Sequence, residues 1–443
     1  MEQILHNQKL QKSLSAEALI SRIRSAFQDI PDHRADICTI SLTDALMSGF
    51  AIFGLKFPSL LQYDQKRTDP KTQHNLKALY GIENAPCDTQ MRKILDGVNP
   101  DELRPAFKNI FSVVQRGKKL EPYVFMDGYY LVSTDGSGYL SSDKIKCSQC
   151  CIKKSRDGKE TYYHQLLSAV IVHPDKKQVL SFAPEPINKQ DGETKNDCER
   201  NASKRLLSDI RADHPHLKII NVADSLSANA PYIRYLKSLN MRFIIGVKPG
   251  DHKYLFEIVE ESVKNGTIEE FEEVDNNGIV RRYRFINNVP LNKENSDVCV
   301  NFLEYWEINK GKHLHFSWIT DFTLSRDNVF MIMKGGRARW KIENETFNTL
   351  KNQGYHLEHN YGHGEKNLTT IFLLLMMLSF LVDQVQEIGC SMFQQAKQKE
   401  KSKKSLWESI RALFRCFYVA SWYDLFASLT YNQFGGKLVP ICP

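Results

Sequence analysis

Hydrophobic and polar positions along the chain alternate in three registers, one after another. Up to about residue 120 the apolar residues recur at three- and four-residue steps, which predicts helices. Leu14, Ala18, Ile23 and Phe27 share one side of a segment that Pro31 stops, and Leu42 to Phe57 is apolar enough to be core. Two short helices with a turn at Gly81 follow, Asn75–Tyr80 and Asp88–Leu95, the second capped by Asp88. They fit a helix-turn-helix-like pair, in which Gln90, Arg92 and Lys93 would face DNA, or a plain helical hairpin.

From 121 the period changes to that of strands. Tyr129–Asp135 reads as a strand ended by Gly136-Ser137-Gly138, followed by strands at His164–Val172 and Val179–Ala183. A helix over Asp197–Asp213, a buried strand over Leu217–Asp224, a helix over Ala230–Asn240 and a buried strand from Arg242 to Val247 complete an α/β series. In open α/β sheets, sites gather at strand ends, so Asp135 and Asp224 become candidates. Asp127 is a rival acid, but Asp127-Gly128 between apolar runs is also a hairpin signal. Asp191, Glu193 and Asp197 read as a solvated loop and a helix cap.

Residues 251–325 break this rhythm with a helix and then alternating strands, turning at Asp275–Gly278 and Asn309–Lys312, an all-β insertion. Residues 339–351 then read as a helix. On a wheel of about 100° per residue, Trp340, Phe347 and Leu350 share one side with Glu343 at its centre. Glu345 points the other way, beside Lys341 and Asn348. An acid on a buried face needs a partner, either Arg339 one turn back or a metal. The C-terminal part is helical and divided by a basic linker from Lys397 to Lys404.

At 443 residues, with 42% hydrophobic and 25% charged content, the chain is long enough for several domains and is globular in composition. Its net charge of +7 hints mildly at a polyanionic partner. Ten scattered cysteines suit reduced thiols in a cytosolic protein. The start, Met1-Glu2-Gln3-Ile4, lacks the apolar run of a signal peptide. The longest apolar run, Ile371–Val382, is shorter than the roughly 20 residues of a bilayer span and meets Asp383 at once, so a core helix and no membrane contact are expected.

With these residues in view, the chain resembles the DDE transposases of bacterial insertion sequences, whose RNase H-like fold is shared with retroviral integrases. Thr134-Asp135-Gly136-Ser137 is similar to the first-strand motif of ribonuclease H, and Val222-Ala223-Asp224 resembles the fourth-strand Asp. Arg339-Trp340-Lys341-Ile342-Glu343-Asn344 resembles the R-W-x-I-E-N motif that carries the family's catalytic Glu. A β insertion before that Glu is typical of a subgroup whose signature is Tyr, two residues, Arg, three residues, Glu, six residues, Lys. Here Arg339 and Glu343 keep the spacing, whereas Gly336 stands at the Tyr position and Leu350, followed by Lys351, at the Lys position.

The resemblance implies an α/β, RNase H-like mixed-sheet catalytic core interrupted by the insertion, with helical N- and C-terminal regions. Its divisions are a DNA-binding region at 1–120, the first part of the core at 121–250, the β-rich insertion at 251–325, the Glu helix at 326–365 and a helical region at 366–443. It implies Asp135, Asp224 and Glu343 as catalytic and metal-binding acids for two Mg²⁺ ions, with Mn²⁺ as substitute. The implied activity is cut-and-paste transposition: cleavage at terminal inverted repeats and strand transfer into target DNA, by a dimer in the bacterial cytoplasm. A nuclease of the same fold without strand transfer, or an inactive DNA-binding derivative, is the alternative. Arg339, Lys341 and Lys351 would contact DNA. Trp318 or Trp306 would stack on a base or belong to the core. Lys310, Lys312, Arg281, Arg282 and Arg284 would meet phosphates.

Cys147, Cys150 and Cys151, with His164 downstream, could bind zinc or be reduced structural thiols. His359 and His363 are spaced like a helical metal pair, but Gly362 and Gly364 predict a loop with a DNA-facing or structural role.

Overall fold

The computed structural model describes residues 13–34, 38–188, 198–431 and 439–440. Asp191, Glu193 and Asp197 lie outside the described residues. The architecture is mixed α/β, built on one large sheet with helices from both ends of the chain.

The sheet is formed by β1 (Val124–Met126), β2 (Tyr129–Ser142), β3 (Cys151–Lys154), β4 (Glu160–Val172), β5 (Leu180–Ser181), β6 (Glu185–Ile187), β7 (Ile219–Ala223), β8 (Arg242–Gly246), β9 (Glu269–Val274), β10 (Val280–Pro290), β11 (Cys299–Asn309) and β12 (Lys312–Thr320). Its order is β3-β4-β2-β7-β8-β12-β11-β10-β9, with β1 on β2 and both β5 and β6 on β4. β2 and β4 run antiparallel, whereas β2, β7 and β8 run parallel, with helices Glu199–Asp213 and Ala230–Ser238 in the crossovers. Crossover helices cover a parallel sheet on its faces, so β7 is buried at every position.

β1 and β2 form a hairpin, with Met126 opposite Tyr129. Asp127 (φ 48°) and Gly128 (φ 79°) are its two loop residues, both left-handed as such a turn requires. Asp127 is therefore turn chemistry. Gly136-Ser137-Gly138 does not end β2, because β4 continues to pair with it as far as Ser142, past a bulge between Gly138 and Leu140.

The β insertion continues the same sheet instead of folding apart from it. β12 pairs antiparallel with β8, Ile319 against Ile245, and β11, β10 and β9 follow outward. The outermost strand, Glu269-Glu270-Phe271-Glu272-Glu273-Val274, is largely exposed.

The two terminal helical regions form one body. Helix Leu368–Gly389 packs on helices Leu42–Gly54, Asp88–Asp96 and Arg104–Arg116. It is long and apolar enough to cross a bilayer, yet its whole apolar window is buried inside the protein. Asn75, fully buried, fastens the last helices to the first ones: its Nδ2 donates to the carbonyls of Phe414 and Phe417, both at 2.8 Å, and its Oδ1 accepts from the N–H of Val419 at 2.8 Å. The basic linker is more structured than its composition predicts. Lys397 and Lys403, on helices Ser391–Lys399 and Lys403–Cys416, both reach the buried carboxylate of Glu387.

Candidate active site

Ser133 on β2 is level with Val222 on the neighbouring parallel strand β7. Asp135, within β2, and Asp224, just past the end of β7, are each two residues on and therefore level on adjacent strands. Asp224 follows the end of β7 and caps the short turn Ser225–Ser227, its Oδ1 accepting from the N–H of Leu226 at 3.1 Å.

The Glu343 segment lies across β2 and β4, and Ser133 Oγ donates to the carbonyl of Arg339 at 3.1 Å. Arg339 joins two of the acids. Its Nη1 is 3.3 Å from Asp135 Oδ2 and its Nη2 is 2.9 Å from Glu343 Oε1. Burial pushes the Asp135 carboxyl up to about 7, and Glu343 and Asp224 push the same way. Arg339 and the N–H of Gly136, which donates to Asp135 Oδ1 at 2.9 Å, oppose them. Partly desolvated carboxylates that repel one another make a site short of positive charge.

A fourth acid, which sequence reading passed over, belongs here. Glu199 opens helix Glu199–Asp213, and its carboxylate lies against Gly136: a Cβ at residue 136 would come within 2.3 Å of Glu199 Oε1. Burial, then Asp224, raises the Glu199 carboxyl above its ordinary range. The sequence signal was the glycine beside Asp135, which leaves room for a side chain from elsewhere.

The Glu343 segment departs from the even helix read from its sequence. A turn at Ala338–Arg339 separates it from helix Val329–Arg337, and Ile342–Phe347 is a π-helical turn in which the N–H of Asn348 bonds to the carbonyl of Glu343. The wider turn shifts the faces by roughly 100°, about one residue's worth. The buried side becomes Ile342, Thr346, Phe347 and Leu350, while Trp340 is 48% exposed. Its ring lies 4.9 Å from the guanidinium of Arg339.

The expected DNA contacts divide. Gln90, Arg92 and Lys93 are exposed on helix Asp88–Asp96, whose Met91, Ile94 and Leu95 are buried. That helix is capped at Cys87, not at Asp88, and Asp88 pairs with Arg92 at 2.5 Å. Lys341 Nζ is occupied by the carbonyl of Lys176 at 2.7 Å, and Lys351 by Glu358 at 2.8 Å. Trp318 is 5% exposed and fills the space over Gly336, where a Cβ would lie 2.4 Å from its Nε1. It is core, and the absence of a side chain at residue 336 is what admits it. Arg281 is held by Asp275 and Arg282 by Glu270, while Arg284 is shared among Glu260, Glu270 and Glu304. These arginines neutralise the insertion's own acids. Lys310 and Lys312 are exposed at the β11–β12 turn.

No family model matches the chain, and no curated protein matches it. Among solved structures, the chain is similar to a piggyBac transposase in a synaptic complex with hairpin DNA. The identity is 12%, the TM-score is 0.39, and the match covers 96% of this chain and 80% of that one. At that score the likeness identifies neither activity nor ligand.

Proposed function

We propose that this chain is a DDE-type DNA transposase that cleaves and joins DNA at transposon ends. The observation that carries the reading is the meeting of Asp135, Asp224 and Glu343 from three separate elements, with Arg339 between two of them. The order of strands supports it as well: an antiparallel β4–β2 pair followed by parallel β7 and β8 is the core expected of an RNase H-like enzyme.

The donor set is all carboxylate oxygen, which suits Mg²⁺ or Mn²⁺. Asp135, Asp224 and Glu343 would hold the metal, which when bound supplies activation of water or a 3′-hydroxyl and stabilisation of the leaving oxygen. Glu199 stands beside them as an accessory acid. Arg339 holds Glu343 toward Asp135, and its guanidinium would also suit a phosphate beside the acids. Trp340, exposed beside the acids, is the aromatic placed to stack on a displaced base, a role the buried Trp318 cannot fill. Gln90, Arg92 and Lys93 present a polar helix face for end recognition.

Asp135 and Asp224 belong to neighbouring inner strands of the sheet, with the exposed Trp340 against Arg339 beside them, and an exposed aromatic next to the acids favours a long polymeric substrate over a small one. Two copies would act together on paired ends. The test is strand transfer by the purified chain, using pre-cleaved duplexes taken from the DNA that brackets its gene, with Mg²⁺, Mn²⁺ or a chelator. Joined products that need the metal and the native end support a transposase. Metal-dependent hydrolysis without joining supports the nuclease alternative, and full activity in chelator rejects both.

A further inference from the structure

A second cluster of ligand-type side chains lies apart from the four carboxylates. Cys147 and Cys150 sit in the turn between β2 and β3, His164 is on β4 opposite Leu140, and His363 comes from the loop before helix Leu368–Gly389. Their ligand atoms all lie within 4.8 Å of one another. Cys147 Sγ is 3.7 Å from Cys150 Sγ, and each sulfur is 3.4 Å from His164 Nε2. Cys150 Sγ is 3.2 Å from His363 Nε2.

These are the spacings of a tetrahedral shell. Metal–sulfur bonds of about 2.3 Å and metal–nitrogen bonds of about 2.0–2.1 Å at tetrahedral angles put two sulfurs about 3.8 Å apart and sulfur from nitrogen about 3.5 Å. Cys150, His164 and His363 are buried, and Cys147 is half-buried. Both imidazoles turn Nε2 to the sulfurs, while Nδ1 of each is buried without a hydrogen-bond partner among the described residues. Thiols are weak hydrogen-bond partners, so two buried imidazoles aimed at two thiols are poorly satisfied unless something shared by all four lies between them. The N–H of Cys147 points at Cys150 Sγ at 3.4 Å, as a donor stabilising a thiolate would.

We infer that Cys147, Cys150, His164 and His363 form a structural zinc site. Two thiolates and two imidazoles select Zn²⁺ over the hard cations expected at the carboxylates, and four protein ligands leave no open position for catalysis. Cys151, adjacent in sequence, is excluded: its Sγ turns away to the carbonyl of Ile187 at 3.5 Å. The fourth ligand is His363, 213 positions from Cys150 in the chain.

The metal would close a ring through the fold. His363 lies in the loop that leaves the Glu343 segment. Just beyond it, Asp96 accepts from the N–H groups of Glu365, Lys366, Asn367 and Leu368 at 2.9–3.0 Å. Ser148 Oγ, inside the Cys147–Cys150 turn, donates to the carbonyl of Glu365 at 3.0 Å. Zinc would thus pin the loop after Glu343, the core sheet and the end of helix Asp88–Asp96 at one point.

The experiment uses the untagged full-length chain, grown with zinc and purified without chelator. Metal analysis should give about one zinc per chain. Replacement by Co²⁺ should give the intense visible absorption of a tetrahedral thiolate site. Cys150→Ser and His363→Ala should lose the metal, and Cys151→Ser should keep it. Should those variants misfold, the wild-type chain decides: Cys147 and Cys150 should resist alkylation until a strong chelator is added, and regain protection when zinc is returned. Equal alkylation with and without chelator, a Cys147–Cys150 disulfide in the fresh protein, or sub-stoichiometric zinc throughout would overturn the inference. None of these readouts depends on DNA cleavage, so the site stands or falls apart from the proposed activity.

Discussion

Arg339 Nη2 lies 2.9 Å from Glu343 Oε1, while the other end of the same guanidinium reaches Asp135. Glu343, and not its near neighbour Glu345, is thereby tied to the acids of the sheet. Glu343→Gln keeps the shape but removes a charged ligand. Metal stabilisation of transition-state charge is worth several kcal/mol, and each 1.36 kcal/mol is tenfold, so cleavage should fall at least about 100-fold. End binding, read by gel shift, should persist. Glu345→Gln should be mild, roughly within ±0.5 kcal/mol of stability. Normal cleavage by Glu343→Gln with none by Glu345→Gln would reverse the assignment.

The raised carboxyl of Asp135 makes a prediction about the metal-free protein. Its folded pKa of about 7 lies above the ordinary value of 3.8. The group's contribution to stability is therefore fully present below about pH 4 and is lost as pH rises through about 7. Asp135→Asn removes the ionising group. In chelator at pH 8 this variant should be more stable than wild type by on the order of 2 kcal/mol, and the gap should close at pH 4. Thermal melts at the two pH values measure it. A gap unchanged by pH would show that Asp135 is not desolvated as described.

Gly336 and Trp318 are packed with no room for a methyl group. Gly336→Ala should cost about 1–3 kcal/mol by overpacking. Combined with Trp318→Phe, which shortens the indole, the loss should be smaller than the sum of the two single losses. Strict additivity in denaturant melts would mean the two do not compete for the same space.

Lys56 and Asp383 make a buried ion pair at 2.6 Å between the N- and C-terminal helical regions. The Lys56 Nζ also lies 4.0 Å from the ring centres of Tyr355 and Trp407. Burial pulls the Lys56 ammonium down to about 8, and Asp383 opposes that shift. Asp383→Asn should cost roughly 3–5 kcal/mol because it strands a buried charge. Lys56→Met with Asp383→Leu should recover most of it. A double variant as unstable as Asp383→Asn alone would assign the pair a role beyond charge balance.

Local chemistry made part of this molecule readable. Asp224 follows the end of its strand as the pattern predicts, whereas Asp135 lies inside β2, and the Asp127-Gly128 turn and the core helix around Ile371–Val382 followed from local pattern and length. What failed was non-local or finely phased. A wheel at 100° per residue cannot register one π turn, so it put Trp340 on the buried side. The pairing of β12 with β8 depends on strands 70 or so residues apart, and nothing in an alternating pattern tells a separate β unit from a longer sheet. Glu199 went unassigned, and His363 reads as a loop residue with a DNA-facing or structural role, apart from the cysteines, for the same reason: each acquires its neighbours only from a distant strand or turn.

The strand at the far edge of the sheet, β9, has a consequence for how copies of this chain behave when crowded together. An unpaired strand edge is a template on which another chain can add itself. Here Glu269, Glu270, Glu272 and Glu273 occupy four of its six positions. Glu270 is held by Arg282 and Arg284 and Glu269 lies by Arg326, which leaves Glu272 and Glu273 to set like charges against a second copy laid along that edge. The sheet can be long without being sticky, and copies of this chain at high concentration are kept from polymerising through this rim.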